Sequence, residues 1–176
     1  GGLCWCVPLL SWHAPRPEVG RFELWAADMG QGHAVLLRTH GHALLYDTGP
    51  RYSRETDAGQ RVIVPLLRAL DEHLDRVVLS HQDIDHSGGL RAVMTMQPQS
   101  DVLTSVALTH PMLNGLHAQR CVRGQRWNWD GVQFEILHPS KTAASADKPN
   151  AMSCVLRIQD AHGVHALLVG DIEAEQ

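Results

Sequence analysis

Apolar positions in this chain fall into short runs cut by glycine, proline and aspartate, and the spacing within the runs changes along the sequence. Residues 21–27 (RFELWAA), 33–39 (HAVLLRT) and 42–47 (HALLYD) read as strands, with Gly30, Gly32 and Gly41 in the turns between them. Residues 58–74 switch to helical spacing at Val62, Pro65, Leu66, Leu70 and Leu74. Pro65 marks the first turn, where a missing N–H costs little. Residues 75–80 (DRVVLS) form a short buried strand, and 86–96 (HSGGLRAVMTM) open another helix. A second set of strands covers 101–108, 125–131, 132–138, 153–160 and 165–171, with Trp129-Asp130-Gly131 as a hairpin turn. Pro15-Arg16-Pro17 reads as a linker, and 139–150 as a flexible loop. Helices interleaved with strands predict an α/β or α+β fold whose mixed sheets are covered by helices. A loose internal echo, HALLYDTG near residue 45 and HALLVGDIE near residue 168, fits a fold of two similar halves.

Composition narrows the class. A chain of 176 residues holds one sizeable core, and 44% hydrophobic with 19% charged residues is a globular balance. A net charge of −4 argues against a protein whose main business is coating itself with phosphates through a large basic surface. A nucleic-acid enzyme stays open, because bound metal ions carry positive charge that a residue count misses. Cys4, Cys6, Cys121 and Cys154 form no C-x-x-C pair, which argues against a zinc knuckle. They read as inert thiols, with Cys154 a small core residue. No run reaches the roughly 18 apolar residues of a transmembrane helix. The apolar start, GGLCWCVPLLSW, lacks the basic region of a signal peptide. It reads as an edge strand or as the end of a membrane segment, where Trp5 and Trp12 suit an interface.

The chemistry concentrates at residues 81–86, H-Q-D-I-D-H, directly after the buried run Val77-Val78-Leu79 and before Gly88-Gly89. His81 and Asp83, two apart in extended chain, share a face. Asp85 and His86, further round the turn, serve a neighbouring point. Four such groups packed without a cation cost several kcal/mol in desolvation and repulsion. The pattern predicts a shell for two divalent ions about 3.5–4 Å apart. Gly88 and Gly89 let backbone approach the ions or the substrate. Asp171, ending the run LLVGD, is the candidate bridging carboxylate; as a plain residue it would cap a helix beginning IEAEQ. Asp47 is expected to orient a ligand histidine. Asp28 and Gln31, among Gly30 and Gly32, are expected to hold a turn beside the metals. His110 and His138, each at a strand end before proline, are candidate extra ligands. His33 has no supporting context.

These pieces together resemble the metallo-β-lactamase superfamily, and more closely the C-terminal domain of the ComEC family of DNA-uptake proteins. DMGQGHA, LLYDTG, SHQDIDHSGG, CVRGQRWNWDGVQFEILHP, NAMSCVLRI and LLVGDIE follow the order and spacing of that family, from about Arg21 onward. The resemblance implies a four-layer αββα sandwich with a two-metal site at one sheet edge. His81 and Asp83 would bind one ion, Asp85 and His86 the other, with Asp171 between them and Asn150 and Ser153 nearby. The superfamily motif carries histidine where Asp83 stands. An oxygen there moves preference from zinc towards manganese or magnesium. The resemblance implies further that residues 1–20 are the stub and linker of a membrane channel part of the same polypeptide. Residues 21–176 would then be a domain lacking the P-H-H-G-S motif with which the family continues and which supplies a further histidine ligand, so that this chain is expected to bind metal weakly and to be inactive or impaired.

The expected function is a metal-dependent phosphodiesterase, a nuclease acting on single-stranded DNA at the extracytoplasmic side of a bacterial inner membrane. Asp83 and Asp85 would serve catalysis as well as binding. Two readings compete: hydrolysis of small esters or lactams, and a non-catalytic DNA-binding or gating lid. Arg120, Arg123 and Arg126 read as a solvated strip, and no substrate-binding residue is assigned.

Overall fold

The computed structural model describes residues 14–140 and 149–172. The apolar start with Cys4, Cys6, Trp5 and Trp12, most of the 139–150 loop, and the segment Glu173 to Gln176 lie outside the described residues. Strands β1 (Glu23–Ala26), β2 (Val35–Arg38), β3 (Ala43–Tyr46), β4 (Arg76–Leu79), β5 (Asp101–Thr104) and β6 (Ala118–Arg120) form one sheet in sequence order. Its first three strands are antiparallel and the remaining pairings are parallel. Strands β7 (Arg126–Trp129), β8 (Val132–His138), β9 (Val155–Gln159) and β10 (His165–Leu168) form a second, antiparallel sheet in the order β10-β9-β8-β7.

The period-2 pattern sorts side chains between two cores. Leu36, Leu45, Val77, Leu79 and Val102 face the helical layer, where they meet Ile63, Leu67, Leu90 and Val93. Their sequence neighbours Leu37, Leu44, Val78 and Leu103 face the other way, onto Val132, Phe134, Ile136, Leu156 and Ile158 of the second sheet. A one-residue slip in any of these strands would exchange the two cores, so the alternation fixes the register. The result is a layered α/β sandwich.

The helices are shorter than their patterns predict. Residues 58–74 give a π-helical turn, Gly59–Ile63, and then α1 (Val64–Ala69). The chain leaves the helix at Leu70, with Asp71 at φ +51°. The 86–96 segment divides into α2 (Ile84–Ser87) and α3 (Leu90–Met96) at the Gly88-Gly89 pair. β5 stops at Thr104 rather than running to Leu108.

Two readings of the N-terminal half and the cysteines change. Residues 14–20, read as a linker, pack on the body. Arg16 pairs with Glu72, which is fully buried and also holds the buried Arg38 (Nε to Oε2, 2.8 Å). Gly20 N–H donates to Asp130 O at 2.6 Å. Cys121 and Cys154, read as thiols, form a disulfide with Cα atoms 6.0 Å apart. It joins the segment after β6 to the segment before β9, one from each sheet. Among the described residues no helix is long and apolar enough to cross a membrane.

Candidate metal centre

The site gathers where parallel strands β3 and β4 end, the edge at which α/β sheets present loops to ligands. Asp47 follows β3 and is fully buried. It adopts φ +59°, a left-handed conformation that aspartate tolerates better than most residues. That twist turns its carboxylate across the end of β4. Oδ1 accepts from the Ser80 N–H at 2.7 Å, and Oδ2 accepts from Ser80 Oγ at 2.8 Å and from His86 Nδ1 at 2.8 Å.

These bonds fix the proton on both buried histidines. Asp47 can only accept, so His86 Nδ1 carries hydrogen. Ser80 Oγ spends its single proton on Asp47, so it accepts from His81 Nδ1 at 2.9 Å. Each ring is therefore held through Nδ1 and left with a bare Nε2. His81 Nε2 and His86 Nε2 are both buried with no hydrogen-bond partner, and the two ring centroids stand 4.3 Å apart. Two buried, orphaned imidazole lone pairs suit a cation, and anchoring of the distal nitrogen by serine and carboxylate is how metal-ligating histidines are oriented.

The carboxylates stand in front of these nitrogens. Asp83 Oδ2 lies 3.6 Å from His81 Nε2, Asp85 Oδ2 lies 3.7 Å from His86 Nε2, and Asp171 Oδ1 lies 3.2 Å from His86 Nε2. The structure thus groups the five sequence candidates as His81 with Asp83 on one side and His86 with Asp85 and Asp171 on the other. Donors of this kind, imidazole nitrogen and carboxylate oxygen, fit divalent zinc or manganese. Gly88 and Gly89 permit the close turn: a Cβ on Gly89 would stand 2.3 Å from Thr48 O.

The remaining candidates divide. Ser153 is buried with Oγ 3.5 Å from His81 Nδ1. Asn150 begins a 3-10 turn and accepts from Ser153 N–H through its backbone. Asp28 is exposed and accepts from Gly30 N–H at 3.2 Å, shaping its own loop. Gln31 is exposed. His110 accepts from Met112 N–H at the start of a 3-10 turn, and His138 Nδ1 bonds Ser153 O at 3.0 Å, so neither ring is brought to the metal ligands. Arg126 pairs with Glu135 on the outer face of the second sheet.

One residue that sequence reasoning passed over stands at the site. His33 stacks on His86 with ring centroids 5.2 Å apart. His33, His86 and Asp171 each offer a donor atom within 4.8 Å of the other two.

The two buried histidines are shifted in opposite directions. Burial, and then the neighbouring His86, push the His81 pKa below its ordinary value. Burial also disfavours charged His86, but the hydrogen bond and charge of Asp47, with Asp171 and Asp85, lift its pKa above the ordinary value. A proton and a cation compete for His86 Nε2, so metal affinity is expected to rise with pH through that raised pKa. Calorimetric titration with zinc in buffers of different ionisation enthalpy checks this: the heat should vary with the buffer, as released protons require.

Comparison with known proteins places these features. The sequence profile described as Metallo-beta-lactamase superfamily matches residues 27–171. Over 97% of its length the chain is 38% identical to "Competence protein ComA" of Neisseria gonorrhoeae, of which it covers 23%. Over 99% of its length it is 39% identical to "Uncharacterized protein YcaI" of Escherichia coli, of which it covers 21%. The chain therefore spans about a fifth of the length of these relatives. A solved metallo-beta-lactamase of Cronobacter sakazakii superposes with a TM-score of 0.60 at 18% identity, over 89% of this chain and 63% of that one, a likeness of fold.

Proposed function

The chain belongs to the metallo-beta-lactamase superfamily, and from that premise we propose that it is a metal-dependent phosphodiesterase, the nuclease part of a DNA-uptake protein. The observation that carries the reading is the pair of buried, unpartnered Nε2 atoms of His81 and His86 facing three carboxylates. Its relatives among competence proteins make DNA the substrate to test first.

The surroundings support a polyanionic substrate. A groove of about 550 Å³ begins at the metal turn, lined there by Ile84, Ser87 and Gly88, and carries Arg51 and Arg91. A second groove shares Arg51 and Arg91 and adds Arg54 and Arg68. Phosphates laid along this path would meet guanidinium groups beside the turn that carries the metal candidates. Arg91 forms no ion pair among the described residues. Arg91→Ala is expected to weaken single-stranded DNA binding several-fold and to lower the slope of log affinity against log salt by about 0.7. Fluorescence anisotropy titrations at several salt concentrations measure both.

When bound, divalent ions supply charge that neutralises phosphate oxygens and acidifies water. The protein's share is positional. His81 and His86, clamped by Ser80 and Asp47, present fixed lone pairs at no further cost in reorganisation. Asp83 and Asp85, both partly solvent-facing, orient the attacking water by accepting its hydrogen bonds, and one of them takes its proton. Arg91 and Arg51 hold the flanking backbone, so that the scissile phosphorus lies in front of the two histidines.

This domain would act at the extracytoplasmic face of the inner membrane, beside a channel formed by another part of the polypeptide. The Cys121–Cys154 disulfide supports that placement, because such bonds persist in oxidising compartments.

The test is incubation of the purified protein with labelled single-stranded DNA, a lactam reporter and a thioester, each in manganese, zinc, magnesium or EDTA. Cleavage of DNA alone, lost in EDTA, is the expected result. Turnover of the lactam or thioester without DNA cleavage would move the site to small substrates. Salt-sensitive DNA binding that survives EDTA, with no cleavage under any metal, would leave a binding lid.

A further inference from the structure

We infer that His33 is a protein ligand of the ion held by His86 and Asp171, and that it biases that position towards zinc. The inference rests on the two-metal reading of the site and adds a residue that none of the metal-motif spacing supplies.

Three independent features converge on His33. The first is donor placement: one ring nitrogen each of His33 and His86 and a carboxylate oxygen of Asp171 lie within 4.8 Å of one another, and His86 Nε2 stands 3.2 Å from Asp171 Oδ1. Ligands about 2.0–2.2 Å from one zinc ion stand roughly 3–4 Å apart. Closing the set takes a movement of about an ångström, which an exposed histidine can make by turning at χ1 while the buried His86 stays fixed.

The second is the backbone. His33 is tied to the metal turn and to the end of β3 at once: its N–H donates to Asp85 O at 3.3 Å, and its carbonyl accepts from Gly49 N–H at 2.9 Å. Its predecessor Gly32, at φ +111°, lies so close that a Cβ there would stand 2.3 Å from Asp85 O. The β1–β2 loop is thus seated on the H-Q-D-I-D-H turn through the residue next to His33, which limits how far the ring can stray from His86.

The third is need. His86 Nε2 is buried without a hydrogen-bond partner, and the carboxylates near it are Asp85 and Asp171. Of the described residues these three offer one nitrogen and two oxygen ligands, a set that suits manganese as well as zinc. A second imidazole shifts the set towards borderline donors, which zinc prefers over magnesium. Among the described residues the other side, His81 with Asp83, has no such addition. The two ions would therefore differ in kind.

A ring that only stacks on His86 would explain the 5.2 Å contact but not the donor convergence, and the experiment separates the two. Zinc and manganese affinities are measured by calorimetry for the purified protein, His33→Ala, His33→Asp and His86→Ala, with circular dichroism and thermal melts as controls for folding. His33 is exposed, so its variants are expected to melt close to the parent. Loss of an outer partner of a ligand costs about 10–100-fold in affinity; loss of His33 itself is expected to cost at least about tenfold for zinc. His33→Asp is expected to restore tight manganese binding while leaving zinc weakened, which a stacking role does not produce. Pulsed electron paramagnetic resonance of the manganese-loaded protein should show fewer coordinated imidazole nitrogens in His33→Ala. If His86→Ala loses metal while His33→Ala keeps parental affinity and nitrogen coupling, the assignment of His33 is overturned alone. If neither substitution changes metal uptake, the metal reading of the whole site falls with it.

Discussion

Asp47→Ala is expected to destabilise the protein by about 3 kcal/mol and to lower zinc affinity by about 10–100-fold. The expectation follows from how much the carboxylate holds. It is the shared acceptor for Ser80 N–H, Ser80 Oγ and His86 Nδ1 in a site closed to water. Alanine leaves buried donors unpaired, each costing about 1–3 kcal/mol. It also frees Ser80 Oγ to donate to His81, which would move the ring proton of His81 to Nε2. Both histidines then lose the tautomer that a cation needs. Asp47→Asn separates the two effects. Its amide oxygen still accepts from Ser80, so stability should fall less. Its NH₂ group cannot accept from His86 Nδ1, so the proton of His86 shifts to Nε2 and metal affinity should fall as far as in the alanine variant. Urea denaturation of the metal-free protein and zinc calorimetry read the two quantities apart. Equal loss of stability in both variants, with zinc affinity kept, would show that Asp47 serves packing and not the ligand histidines.

The parts of this structure that could be read in the sequence are those encoded locally. Strands β2 to β5 alternate because neighbouring residues enter different cores, and period 2 records that directly. The turn from His81 to His86 is local too, so ligand types and spacing stand together on the page. What escaped reading depends on contacts between distant segments. β6 is Ala-Gln-Arg with two exposed residues and no apolar run; its pairing with β5 makes it a strand. The 86–96 helix breaks because Gly89 must pass close to Thr48 and Gly59, which no helical period reports. The Cys121–Cys154 bond joins the two sheets, and spacing alone does not pair those cysteines. His110 and His138 looked like ligands because each ends an apolar strand, but backbone groups claim both rings. His33 looked featureless because its partners lie far along the chain. The available signal was Gly32 beside it, a residue whose missing side chain only matters where another backbone comes close.

Asp85→Ala combined with Asp171→Ala is expected to lower metal-dependent cleavage by about 10³-fold or more while leaving the fold intact. Both carboxylates are partly exposed and lie outside the two hydrophobic cores, so their removal opens no core cavity. They and Asp83 crowd one edge, and without a cation their mutual repulsion opposes folding. Because Asp85 and Asp171 also favour protonated His86, the comparison belongs above the raised pKa of that histidine, where the metal-free double variant should be as stable as the parent or more so. The parent, in contrast, gains stability on loading: a ligand at 100 times its dissociation constant adds about 2.7 kcal/mol. The variant should show little of that gain. Loss of the charge stabilisation that bound ions give, worth several kcal/mol at the transition state, corresponds to the thousandfold fall in rate. The decisive pattern is the crossing of two curves: the variant at least matches the parent in EDTA and falls below it in zinc or manganese. A variant that melts lower in EDTA would mean that Asp85 and Asp171 serve the fold. One that keeps its activity would mean that the hydrolytic centre lies elsewhere. The crossing itself would show that this edge of the sheet gives up apo stability to hold its ions, the trade expected where side chains are placed for chemistry rather than for packing.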